Sequence, residues 1–217
     1  MSAAQPKARV RLRFPGVRAP RPMLPPEVEA RLTGRQREVL DELEALLVDE
    51  ELAELTMAQL AARLNCSLRT LYGISPSKDE LVLTVADRRL HRIGRAAIES
   101  LEASLPALEA VRVYLRAANE AVQPSAGGFA ASISGVPGSK RLADSHEAYL
   151  VAVVQSLLDR AVAEGSIQPV DTAAVAHVLG GLGLSFSSAA LPRAVSRSPK
   201  ATADAVTDII LRGLEAS

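Results

Sequence analysis

The chain has 217 residues, with 25 Lys or Arg balanced by 25 Asp or Glu, and is 48% apolar but only 3% aromatic. That length allows one or two domains around a core of Leu, Val and Ala, and the sequence shows neither alternating strand runs nor an internal repeat. The single cysteine, Cys66, excludes a disulfide framework and a cysteine metal cluster and suits a reducing cytoplasm.

Charge is unevenly placed: residues 1–95 carry 16 Lys or Arg against 13 Asp or Glu, and residues 96–217 carry 9 against 12. Much of the positive excess lies in residues 1–26, where Lys7, Arg9, Arg11, Arg13, Arg18 and Arg21 occur with six prolines and no acidic residue. Such a composition cannot bury enough apolar surface to order itself, so residues 1–32 are expected to be a disordered, basic, proline-rich arm. No apolar segment follows the charges, which excludes a signal peptide.

Helix starts are marked by capping boxes at Thr33–Gln36, Thr56–Gln59 and Ser77–Glu80, a hydroxyl residue followed three positions later by Glu or Gln. The first helix then runs from 34 to about 50, with Val39, Leu40, Leu43, Leu46 and Leu47 on one face. Residues 55–81, LTMAQLAARLNCSLRTLYGISPSKDEL, predict two short amphipathic helices, a turn between them, and a third capped helix immediately after. Ala61 is the small residue a close helix crossing needs, and Asn65 falls in the turn, where positive φ favours Asn. Leu60, Leu64, Cys66, Leu71 and Ile74 face inward, while Ser67, Arg69, Thr70 and Tyr72 face outward. A DNA-reading helix-turn-helix needs this arrangement, with one helix braced across the backbone and a second free to enter the major groove.

Beyond it, a fourth helix spans about 78–102, with Leu81, Val85, Leu90, Ile93 and Ala97 inward and Arg88, Arg89, Arg92 and Arg95 expected on a solvated face. A fifth follows Pro106, which suits a helix start, and ends near Val122. The Gly/Ser/Pro-rich stretch from Pro124 to Gly138 is a candidate gate, and helices follow near 140–164 and 171–190. Residues 173–191 carry no formal charge and approach the length of a membrane span. Gly180, Gly181, Gly183, three serines and His177 make that helix only marginally hydrophobic, so a soluble helix is expected. A last helix starts at Ser198–Pro199 and runs to about Leu214.

The run Leu55-Thr56 with Leu60-Ala61, then Thr70-Leu71-Tyr72, then Ser77-Lys78 with Glu80-Leu81, near the start of an all-helical chain, resembles the TetR family of bacterial transcriptional regulators. The resemblance is specific over residues 34–90 and architectural beyond them. It implies an all-α fold, with a helix-turn-helix DNA-binding domain over 33–80 and a helical effector-binding and dimerisation domain over 81–217. It also implies a cytoplasmic homodimer that acts as a repressor on a palindromic operator in double-stranded DNA and is released by a small molecule. Carried over, the pattern assigns phosphate contacts to Thr56 and Lys78 at helix starts, and backbone contacts to Thr70 and Tyr72. Arg69 is the candidate base reader, since its planar fork matches guanine; Arg35 and Ser67 complete the expected contact set. The chain departs from the family at Ile74, Ser75 and Pro76, where His and Phe are frequent, so one phosphate contact and one wedging aromatic are absent. The arm of residues 1–26 either solubilises the chain or follows the phosphates into the adjacent minor groove.

The helices near 140–164 and 171–190 are expected to supply the dimer surface, their small and uncharged residues permitting close helix approach. Pocket candidates are Arg116, Asn119, Phe129, His146, Tyr149 and His177, and scarce aromatics favour an aliphatic effector. His91, His146 and His177 lie far apart without metal-ligand spacing, the Gly-rich stretches fit no phosphate loop, and Ser187 and Ser188 lack a nucleophile elbow. No enzyme activity, metal or cofactor is therefore expected. Two other readings of the same residues are an activator that senses no ligand, and a helical ligand-binding or interaction module whose DNA-reading helix has degenerated.

Overall fold

Hydroxyl residues set the helix starts. Thr33 and Gln36 exchange side-chain and backbone hydrogen bonds, Thr56 and Gln59 close a full capping box, and Ser67, Ser77 and Ser198 each accept from a backbone N–H three residues on. The computed structural model describes residues 12–49, 54–119, 133, 135–187 and 198–216. Among them are nine helices: α1 Pro26–Glu29, α2 Gly34–Asp49, α3 Met57–Arg63, α4 Leu68–Tyr72, α5 Lys78–Glu99, α6 Ala107–Ala118, α7 Ser139–Ala163, α8 Thr172–Ser187 and α9 Pro199–Leu214. The starts predicted at 34, 57, 78 and 199 agree with these bounds. No helix among the described residues is long and apolar enough to cross a membrane.

Two cores form. The first joins Val39, Leu40, Leu43 and Leu47 of α2 to Leu60 and Ala61 of α3, Leu71 of α4 and the first two turns of α5, with Cys66 and Ile74 packed at its edge. This core continues past residue 80 and draws in Ile133, Val136 and Leu142, so the base of the larger helical unit packs directly on the smaller one. The second core is made by α6, α7, α8 and the ends of α5 and α9, centred on Tyr114, Leu115, Val154, Leu157, Leu158 and Leu179.

Three expectations change here. The disorder expected over 1–32 does not extend through 12–32. Leu12, Phe14 and Val17 pack on the second core and Leu24 on the first, α1 forms at Pro26, and the Met23 N–H donates to Asp87 Oδ2 at 2.8 Å. A composition average hides four apolar residues that reach the cores, and prolines suit an extended strap that forms no helix. Residues 1–11, with Lys7, Arg9 and Arg11, lie outside the described residues, as do 124–132 and 134 of the expected gate.

The arginine row of α5 is only in part a solvated face, since Arg92 and Arg95 are exposed but Arg88 and Arg89 are half-buried. Arg88 donates to Glu29 (3.0 Å), Asp41 (2.7 Å) and Glu44 (3.3 Å), and Arg92 Nε donates to Glu44 at 2.8 Å. Glu44 is only 7% exposed, so α1 and α2 are clamped to α5 by charge as well as by apolar packing. Finally, Gly180 serves packing within the chain. A Cβ there would meet Val151 Cγ2 at 2.7 Å, so α8 lies tight on α7, and α7 buries Val153, Val154, Leu157 and Leu158 inside its own protomer.

Arg88→Ala should lower stability by about 1–3 kcal/mol in urea unfolding, because Glu44 loses one of its arginine partners while Glu29 and Asp41 lose the one they share. A loss no greater than that of an exposed ion pair, below about 0.5 kcal/mol, would show that the clamp is dispensable.

Candidate nucleic-acid interface and adjoining cavity

The turn between α3 and α4 forms because Asn65 adopts φ 45°, the left-handed conformation expected of it. The Cys66 N–H returns to Ala61 O at 2.9 Å, and Ala61 is buried where the helices cross. Cys66 is half-buried against the first core, and burial raises its thiol pKa above the ordinary value. Ser67 caps α4 and its hydroxyl also meets that of Thr70 at 2.9 Å. These constraints hold a five-residue helix whose outer face presents Arg69 and a Tyr72 that is 53% exposed.

An open groove of about 510 Å³ runs between this face and the start of α2, lined by Thr33, Arg35, Gln36, Ser67, Arg69, Thr70, Tyr72 and Gly73. The structure thus brings together Arg35, Ser67, Arg69, Thr70 and Tyr72, five of the residues predicted to contact DNA. Lys78 sits at the first position of α5, behind the Ser77 cap.

Two of the expected contacts have internal work. Arg35 pairs with Glu38 (3.1 Å) and Glu42 (3.0 Å) and donates to the Leu64 and Asn65 carbonyls. It braces the turn against α2, and its hydrogen bonds to Glu38 and Glu42 raise its pKa. The Thr56 hydroxyl and N–H both donate to Gln59 Oε1, at 2.9 and 2.8 Å, within the capping box. Sequence pattern could not separate these roles, since an arginine beside a turn suits either one.

Above this groove, α5, α6, α7 and α8 line a partly open apolar cavity of about 140 Å³, bounded by Leu90, Ile93, Tyr114, Asn119, His146, Tyr149, Leu150 and Gly180 among others. Three of the pocket candidates, Asn119, His146 and Tyr149, line it. Asn119 is held there by donating to Asp204 at 2.9 Å, and burial raises the Tyr149 pKa. Tyr114 was not anticipated; it is buried in the second core, and desolvation raises its pKa strongly. Arg116 faces outward toward Asp208 at 3.8 Å, and His177 is exposed, because each lies on the helix face away from the cavity. Phe129 lies outside the described residues.

The histidines are not all far apart. His91 on α5 and His146 on α7 have ring centroids 4.8 Å apart in an edge-to-face arrangement. Between them lies Asp87, 2% exposed, with Oδ1 at 2.9 Å from His146 Nε2 and 3.4 Å from His91 Nε2. Burial pushes the His91 imidazole below its ordinary pKa, with Asp87 opposing and His146 and Arg95 adding to the shift. The i,i+4 spacing of Asp87 and His91 was the one signal in the sequence; the third member, 55 positions beyond His91, arrives only through the packing of α7 on α5.

No family model and no curated protein matches the chain. Solved structures do match. A TetR family transcriptional regulator from Thermus thermophilus shares 24% identity with a TM-score of 0.60, over 82% of this chain and 99% of that one. A transcriptional regulator from Cytophaga hutchinsonii superposes with a TM-score of 0.68 at 14% identity, over 85% and 100%. A ketosteroid transcriptional regulator of Mycobacterium tuberculosis gives 0.57 at 16%, over 86% and 98%. The likeness at these identities is one of fold, and the chain has the fold of these regulators over most of its length.

Asn65→Gly should keep stability within about 0.5 kcal/mol, whereas Asn65→Val should cost about 1–2 kcal/mol because a β-branched residue resists positive φ. Equal melting points for the two variants would remove the conformational role assigned to Asn65.

Proposed function

We propose that this chain is a DNA-binding transcriptional regulator of the TetR type that represses from a palindromic operator in the cytoplasm and is released by a small apolar effector. The observation that carries this reading is the exposed face of α4, Arg69 with Tyr72, held by a braced turn at the foot of a helix that continues into a cavity-bearing domain. Arg69 reads a base, Tyr72 and the Ser67–Thr70 hydroxyl pair meet the backbone, and Lys78 with the N-terminus of α5 holds a phosphate. Thr56 and Arg35 support the interface from behind, through the bonds they make inside the unit.

A second copy supplies the other half-site. Val178 on α8 is 53% exposed and Ile209 on α9 is 67% exposed, on helices whose packing within the protomer leaves these faces uncovered. An isologous contact of α8 and α9 would bury both. The cavity of about 140 Å³ is smaller than the roughly 300–1,000 Å³ of drug-sized sites. An aliphatic effector therefore acts by prising α6 and α7 apart, which tilts α5 and changes the separation of the two reading helices.

Footprinting across the neighbouring intergenic regions should show a protected palindrome that fades on adding cell extract. Tyr72→Ala and Lys78→Ala should weaken binding to every sequence, on the order of tenfold each, while Arg69→Ala should relax preference at one base pair by about 1–3 kcal/mol. Absence of any protected palindrome would remove the basis of the regulator reading.

A further inference from the structure

The cluster at the middle of α5 has a composition that DNA reading and an apolar effector leave unused. Asp87, His91 and His146 each offer one potential ligand atom, a carboxylate oxygen and two ring nitrogens, that lie within 4.8 Å of one another. His91 Nε2 is buried and makes no hydrogen bond, an arrangement that costs free energy unless something occupies the position beside it. The second carboxylate oxygen, Oδ2, is already oriented by the Met23 N–H of the strap at 2.8 Å, which is how an outer partner fixes a ligating carboxylate.

We propose that Asp87, His91 and His146 form a binding site for one divalent transition-metal ion of the zinc, cobalt and nickel class. A tetrahedral ion with bonds of about 2.1 Å sets its ligand atoms about 3.4 Å apart. Asp87 Oδ1 and His91 Nε2 stand at 3.4 Å, and Asp87 Oδ1 and His146 Nε2 need open only from 2.9 Å. Each imidazole binds through Nε2 as the tautomer protonated at Nδ1. Two imidazoles and one carboxylate favour a borderline ion over Mg²⁺ or Ca²⁺, and the carboxylate offsets one of its two charges. Arg95 and Glu99 line the adjoining cavity with His91 and His146, so the fourth position is open to water or a small ligand from that cavity. The ion would tie α5, α7 and, through Asp87, the strap at Met23 into one unit. The site stands whether or not the chain reads DNA.

The test uses the full chain after chelator treatment, titrated with Co²⁺ and competed with Zn²⁺. One ion per chain should bind, with visible d–d bands and no sulfur-to-metal charge-transfer band. His91→Gln and His146→Gln should each weaken binding by at least about tenfold, and His177→Gln, on an exposed face, should leave it unchanged. Zn²⁺ should also shield His91 and His146 of the wild-type chain from diethyl pyrocarbonate, read by peptide mass spectrometry, which keeps the test independent of how the variants fold. The proposal is overturned by no saturable binding below about 100 μM, by undiminished binding in both variants, by a sulfur band that disappears in Cys66→Ser, or by unshielded histidines in the Zn²⁺-saturated wild type.

Discussion

Helix α5 belongs to both hydrophobic cores, and that double membership is the constraint on which the rest of the structure depends. Its first turns bury Leu81, Val82, Val85 and Ala86 among α2, α3 and α4, while Ala97 near its other end is buried with α6 and α7. A helix of 22 residues is a rod roughly 33 Å long, so displacement at one end is delivered to the other. The Arg88–Glu44 cluster strengthens the near attachment. With Glu44 nearly out of water, the charges hold α2 in one position on α5 and resist sliding.

The helix-turn-helix unit is small, and each of its parts is positioned by a neighbour. Asn65 turns the chain, Arg35 grips the turn carbonyls, Thr56 and Gln59 satisfy the start of α3, and Ser67 starts α4. A five-residue helix has little stability of its own. Its orientation comes from Leu71 in the shared core and from these polar braces. This division of labour separates residues that hold the surface from residues that form it.

The middle of α5 is bordered on one side by the strap of residues 12–25 and on another by α7. Asp87 faces both, accepting from Met23 and pairing with His146. A nearly buried carboxylate requires such partners, and the strap supplies one of them from a segment whose composition alone suggests no order. The cavity begins just beyond, so contacts at the centre of α5 and contacts at the cavity wall share His146.

Local patterns determined a great deal by themselves. Caps, helix periodicity, the positive-φ asparagine and the small residue at a crossing depend on interactions within a few positions, so the helix bounds and the helix-turn-helix were legible from residue order. Of the pocket candidates, Asn119, His146 and Tyr149 lie on the cavity wall. Tertiary structure alone decided which polar side chains face inward to a partner. Arg88 and Arg92 lie on α5 positions that read as solvated until α1 and α2 bring three carboxylates to them, and Arg116 and His177 turn away from the cavity by the rotation of their helices. It also decided that Leu12, Phe14 and Val17 leave water, and that His146 reaches Asp87 across 59 positions. The physical reason is range: hydrogen bonds within a turn are written into neighbouring residues, whereas ion pairs and apolar contacts between helices exist only once the helices have packed.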